Sequence, residues 1–257
     1  MIYKSGKVAR VFDYALDKNR TMAYHDWIQA NVNGKVVCEL GGGSGIMAWL
    51  CVKYGASKVY VYENNLRIIN WLEELFDGES KVEIKKEDVT SATFPTADFY
   101  LHENIASNVF GEKIIEMFTN LKSQNLEDKT YPNKIKIQHG TYTGTSVESN
   151  FNKDDFTNAN VLEFFNSCPM DRIPPTGFTL KTPDISKITM SASVFDGDIK
   201  DLTRVSEEDT NNEYLFWEAS FDGSHEISNY KNKTHWNIIK AGDAGLDIPS
   251  EVTYKLG

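Results

Sequence analysis

Short apolar runs alternate with helix-period stretches through the first half of the chain. VVCEL (Val36–Leu40) is almost continuously apolar, the pattern of a strand buried on both faces. Ile46–Tyr54 reads as a helix. Ser57–Glu63 is β-rich and alternating. Leu66–Phe76 returns to helical spacing through Leu66, Ile69, Leu72 and Leu75–Phe76. Lys81–Ile84 and Asp98–His102 are further short strands, and Gly111–Leu121 is again helical. Alternation of this kind predicts right-handed βαβ units and a parallel sheet.

The texture changes after Tyr131–Pro132. KIKIQHGTYTG, KITMSASVFDG and EYLFWEASFDG are strand runs that end at glycine-containing turns. Only Val161–Phe165 looks helical, Met170–Gly177 reads as a loop, and Ser206–Glu213 reads as a solvated acidic loop. The expected division is an α/β unit over residues 1–131 and a smaller antiparallel β unit over 132–257.

Charge and cysteine content narrow the setting. The chain of 257 residues carries 27 Lys and Arg against 37 Asp and Glu, a net charge of −10. That balance disfavours broad nucleic-acid binding, which needs a basic face. Cys38, Cys51 and Cys168 form neither a disulfide framework nor a zinc spacing. No run reaches the roughly 18 apolar residues of a membrane span, and the N-terminus lacks a signal-peptide block. A reducing, cytoplasmic location is expected, without membrane or metal.

The strand VVCEL runs into GGGSG and then a helix. Glycines at such a turn let the backbone approach a ligand closely. A dinucleotide fingerprint fails because its third position falls on Ile46, and no phosphate loop is present because no GK pair follows. What remains is an acid followed by alternate glycines: Glu39, Gly41, Gly43 and Gly45. Glu63 ends the next strand, where a carboxylate can accept from both hydroxyls of a ribose.

This set resembles motif I of the class I S-adenosylmethionine-dependent methyltransferases. The loop after the fourth strand sharpens the resemblance to the protein arginine methyltransferases. That family sets two glutamates in a hairpin there, and Glu103-x8-Glu112 has its spacing. Arginine is always protonated, and two carboxylates can hold its planar guanidinium and orient the free nitrogen. Asp17-Lys18-Asn19-Arg20-Thr21, continuing to Ala23-Tyr24, resembles the family's DxxRTxxY segment. Thr234-His235-Trp236 resembles its THW loop.

The resemblance implies a fold and a reaction. The fold is a Rossmann-like class I methyltransferase domain followed by a smaller antiparallel β-barrel-like domain, the former of the seven-stranded type. The reaction is methyl transfer from S-adenosyl-L-methionine to arginine of a protein or peptide, expected to be basic. Glu103 and Glu112 would hold the substrate. Arg20 would pair with the cofactor's carboxylate, Glu39 would act near its methionine part, and Glu63 would take the ribose. Asp88 would accept from the adenine amino group. Phe12 and Tyr14 would be aromatics of the helix that folds over the cofactor. His235 would pair with Asp17, and the pair would take up or relay the leaving proton or simply tie the two domains together. A helical arm drawn from Phe151–Pro175 would serve homodimerisation.

The chain departs from the family at Asn104 and Ile105, which stand where Trp or Pro and then Met are usual. His102 replaces a small residue. Two alternatives stay open: methylation of another nucleophile, or a cofactor-binding relative without turnover.

Overall fold

The structure is a computed structural model that describes residues 6–106, 109–149, 152–168, 180–202, 214–231, 234 and 239–240. Two helices come first, α1 (Gly6–Ala15) and α2 (Lys18–Asn31). A βα alternation follows: β1 (Val36–Leu40), α3 (Ile46–Lys53), β2 (Lys58–Tyr62), α4 (Leu66–Leu75), β3 (Val82–Lys85), β4 (Phe99–His102), α5 (Ile114–Ser123) and β5 (Thr130–Tyr131). The five strands pair in parallel in the order β3-β2-β1-β4-β5. The order reverses between β1 and β4, and the crevice outside the carboxyl ends of those two strands is where such sheets bind ligands.

The strand count corrects the seven-stranded expectation. The parallel sheet holds five strands among the described residues, and the last, β5, has only two residues. A cis Tyr131–Pro132 peptide then leads the chain into a second sheet. That sheet is built from β6 (Lys134–Tyr142), β9 (Ile188–Asp198), β10 (Tyr214–Phe221) and β11 (His225–Ser228) in the antiparallel order β11-β10-β6-β9. β12 (Ile239–Lys240) pairs with the start of β10. β7 (Val147–Ser149) and β8 (Leu180–Thr182) form a separate antiparallel ribbon. Among the described residues the second sheet does not close into a barrel.

Aromatic side chains of α2 join the two sheets. Phe221 at the end of β10 lies 4.9 Å from the ring of Tyr24 and 5.7 Å from that of Trp27. Trp27 also meets Phe99 of β4 at 5.2 Å and Tyr131 of β5 at 4.7 Å. Three α-helices among the described residues begin on side-chain caps: Asp17 accepts from Arg20 N, Asn65 from Arg67 N and Asn158 from Asn160 N. In α4 the buried residues are Ile68, Ile69, Trp71 and Leu72, whereas Leu66 is 66% exposed. The helical pattern had included Leu66 because it counted the first turn as part of the apolar stripe.

The helix read at Val161–Phe165 is α6 (Ala159–Ser167), and it packs on α3 of its own chain. Phe164 meets Trp49 at 6.0 Å between ring centroids, and Lys53 pairs with Glu163 at 2.6 Å. The expected loops at Met170–Gly177 and Ser206–Glu213 lie outside the described residues.

Phe221→Ala should leave a void between the sheets and cost roughly 3–5 kcal/mol. Denaturant unfolding followed by tryptophan fluorescence would measure it, and a loss below about 1 kcal/mol would mean that Phe221 does not bind the two units.

Candidate functional site

The glycine loop hangs from the end of β2. Gly41 and Gly42 donate their N–H groups to the Tyr62 carbonyl at 3.0 and 2.9 Å. The tightest residue is one the acid–glycine pattern passed over. A Cβ on Gly42 would lie 2.6 Å from both Val61 Cγ1 and Leu72 Cδ1, so no side chain fits there. Gly45 adopts φ 84° and opens α3, where a Cβ would meet Leu75 at 2.7 Å. A run of three glycines gives no sequence signal that separates the packed one from the others.

Hydrogen bonds then cross the carboxyl ends of β1, β2 and β3. Glu63 accepts from Gly43 N at 3.3 Å, Asn64 N at 2.9 Å and Asn65 N at 2.8 Å. Asn64 donates to Asp88 at 2.9 Å. Bonds from the Thr90 N–H and hydroxyl, with Asn64 and Lys113 nearby, hold Asp88 below the usual carboxylate range. Glu63 and Asp88 thus sit in one network with the glycine loop.

α1 lies over this loop. A Cβ on Gly43 would be 3.9 Å from Val11. Phe12 is 1% exposed and stands edge-on to Trp71 at 5.0 Å, while Trp71 donates to Ser44 O at 2.8 Å. Phe12 thus packs on Trp71, whose indole bonds the loop.

Glu103 follows directly on β4 and accepts from Arg20 Nη2 at 2.5 Å. Arg20 also donates from Nη1 to Tyr14 O at 3.1 Å, and it lies 5.6 Å from the Tyr24 ring centroid. Burial alone disfavours the cation. The charge and hydrogen bond of Glu103 outweigh that, so the Arg20 guanidinium is held above its ordinary value. Tyr24 donates to His102 O at 2.6 Å, which ties α2 to the end of β4. His102 is fully buried, bonds Pro132 O through Nε2 at 3.0 Å, and is pushed down by desolvation to about 4, so it stays neutral.

The chain beyond Glu103 turns back as a hairpin. Ala106 and Val109 form an antiparallel bridge, with Val109 N donating to Ala106 O at 2.8 Å. Val109 takes φ 68°, a strained value for a β-branched residue, while buried Ile105 and Phe110 anchor the hairpin. The return arm delivers Glu112. Its carboxyl is crowded by protein yet the residue remains open to solvent. Desolvation and the nearby Glu103 push it up to about 8, opposed by Arg20. Burial, Glu112 and Glu103 raise the Tyr14 hydroxyl to about 12, so it stays protonated.

Glu39 is buried at the end of β1. Its Oε2 accepts from Ala48 N at 3.1 Å, and burial pushes its carboxyl well upward. Asp17 caps α2 and accepts from the Thr234 hydroxyl at 3.1 Å, which brings Thr234 onto the DxxR segment. His235 lies outside the described residues. Tyr14, Asn104 and Thr234 reach the site without having been assigned polar roles there. Each sits one to six residues from a singled-out acid or base, which is the signal that would have found them.

A glycine loop at the switch point of a parallel sheet, a two-carboxylate hairpin after β4 and an appended antiparallel sheet together make the fold of the protein arginine methyltransferases. Among solved structures, the Trypanosoma brucei PRMT1 enzyme–prozyme heterotetrameric complex with AdoHcy is similar at a TM-score of 0.59 and 16% identity, covering 88% of this chain and 79% of that one. Arabidopsis thaliana protein arginine methyltransferase 10 is similar at 0.55 and 17% identity, covering 88% and 81%. Among curated proteins, the chain is 25% identical to the histone-arginine methyltransferase CARMER of Drosophila erecta, over 54% of this chain and 28% of that protein. The chain thus spans under a third of the curated relatives it matches. No family model matches it. No described helix is long and apolar enough to cross a membrane.

Glu112 gives a pH signature. Its folded value is raised, so its contribution to stability is full below the ordinary value of 4.5 and is lost as pH rises through about 8. Denaturation midpoints of the wild type should fall between pH 5 and 8 relative to Glu112→Gln. Parallel curves would refute the shift.

Proposed function

We propose that this protein transfers a methyl group from S-adenosylmethionine to a guanidinium nitrogen of arginine in a protein or peptide. One observation carries the reading: the Glu103 carboxylate, at the carboxyl end of β4 beside the glycine loop, already holds a guanidinium, that of Arg20. A substrate arginine would present the same group to Glu103 and Glu112.

The cofactor fits the residues present. Glu39 Oε1 is a buried oxygen without a partner and Arg20 Nε a buried donor without one, at the end of the sheet where the glycine loop turns. Glu63 and Asp88 follow the next two strands, placed to meet a nucleoside. When bound, S-adenosylmethionine supplies an electrophilic methyl on a sulfonium.

The chain's own residues do the rest. Glu103 and Glu112 bind the planar cation by charge-assisted hydrogen bonds and orient one nitrogen for in-line attack. A cation between them offsets the repulsion that raises Glu112. The transferred carbon replaces one N–H proton, and Glu112, kept ionised by the bound cation, would receive it. The pairing of His235 with Asp17, implied by the resemblance, is a second route. The assignment of residues 1–131 to cofactor binding and 132–257 to substrate binding belongs to the same reading, as does a cytoplasmic setting.

Glu103→Gln and Glu112→Gln should each lower methyl transfer by on the order of a hundredfold, because each removes charge stabilisation at the reacting group. Radiolabelled cofactor with arginine-rich and lysine-substituted peptides would measure it. Undiminished rates, or label on the lysine peptides alone, would overturn the assignment. The net charge of −10 should also steer a basic peptide. Raising the salt concentration should then raise its KM, and an unchanged KM would leave the charge with no part in substrate capture.

A further inference from the structure

Three polar atoms around the glycine loop are buried without a hydrogen-bond partner: Glu39 Oε1, Asn104 Oδ1 and Arg20 Nε. A fourth, His102 Nδ1, belongs to a ring that bonds Pro132 and stands edge-on to Phe118 at 5.4 Å. An unpaired buried polar atom is costly, so a cluster of them at the ligand-binding end of a sheet calls for a partner.

The chemistry of the three is specific. Two are oxygens and one is an N–H donor. An ammonium beside a carboxylate, the head of an α-amino acid, complements that set. Asn104 is where the loop geometry and this chemistry meet. β1 and β4 pair with Leu40 opposite His102, which brings the residues after each strand side by side. The Asn104 amide consequently lies against Gly41: a Cβ built there would sit 3.6 Å from Oδ1 and 3.9 Å from Nδ2. No side chain on Gly41 intervenes between Asn104 and the loop.

We propose that Asn104 is a cofactor-binding residue, its side-chain carbonyl accepting from the ammonium of the methionine end of S-adenosylmethionine. The same ammonium favours the ionised form of Glu39, which pairs with it, and Arg20 faces the carboxylate. The proposal rests on the methyl-transfer reading above and assigns a role to a residue where the resembled family has Trp or Pro, neither of which offers a side-chain acceptor. Asn104 thereby reads the amino-acid part of the ligand and leaves the nucleoside to Glu63 and Asp88.

Calorimetric titration with two thioether ligands tests it. S-adenosylhomocysteine carries the ammonium and carboxylate; 5′-methylthioadenosine lacks both. Asn104→Ala should weaken S-adenosylhomocysteine roughly tenfold or more while changing methylthioadenosine less than about twofold. Asn104→Asp, which retains an acceptor, should bind S-adenosylhomocysteine at least as tightly as the wild type and guards against a folding defect in the alanine variant. Equal weakening of both ligands by Asn104→Ala, or no weakening of S-adenosylhomocysteine, would overturn the role of Asn104 alone. Failure of the wild type to bind either ligand would overturn the methyl-transfer reading and the proposal with it.

Discussion

The buried ion pair between Arg20 and Glu103 is the interaction on which the site depends. It links a helix ahead of the sheet to the loop after β4, with both side chains largely hidden from water. Taking one partner away would strand a buried charge at a cost of about 3–5 kcal/mol. The surroundings are arranged around that constraint. Asp17 caps the helix that carries Arg20, Tyr24 bonds the backbone just before Glu103, and the Tyr14 carbonyl takes a second guanidinium N–H. The same pair defines what the site can exchange. In the proposed reaction a ligand carboxylate would compete with Glu103 for Arg20, and an incoming guanidinium would compete with Arg20 for Glu103.

The glycine loop supplies the other half of the geometry. Its backbone hangs from Tyr62 and Glu63, and Gly42 is wedged against Val61 and Leu72. Because strand order reverses between β1 and β4, the loop and the carboxylate hairpin open on the same crevice. Glu112 reaches that crevice only because the hairpin turns back through the strained Val109. Two neighbouring carboxylates repel each other, and with Arg20 seated on Glu103 the crowded Glu112 carboxyl is raised by desolvation and by Glu103.

Much of this was legible in the residues. The βα alternation and the acid–glycine loop follow local rules of burial and turn geometry, whereas the Glu103 and Glu112 pair was legible only through the family resemblance. Other parts had no local signature. α2 went unread as a helix because Arg20, Thr21, Tyr24, His25, Trp27 and Ile28 are buried around its circumference, which erases any apolar stripe. The number of parallel strands depended on a two-residue strand, β5, which no window resolves. Gly42 and Asn104 matter through contacts between β1, β2, β4 and α4, and strand register has no readout in a single sequence. α6 was found as a helix, but its seat on α3 rests on Trp49, Lys53, Glu163 and Phe164 meeting across more than a hundred residues.

The most direct test of the account is a crystal structure of the chain with S-adenosylhomocysteine and an arginine-containing peptide. The account predicts that the peptide guanidinium lies between Glu103 and Glu112, one nitrogen facing the thioether sulfur, with Arg20 turned to the ligand's carboxylate. A peptide side chain bound elsewhere, with Arg20 still seated on Glu103, would contradict it.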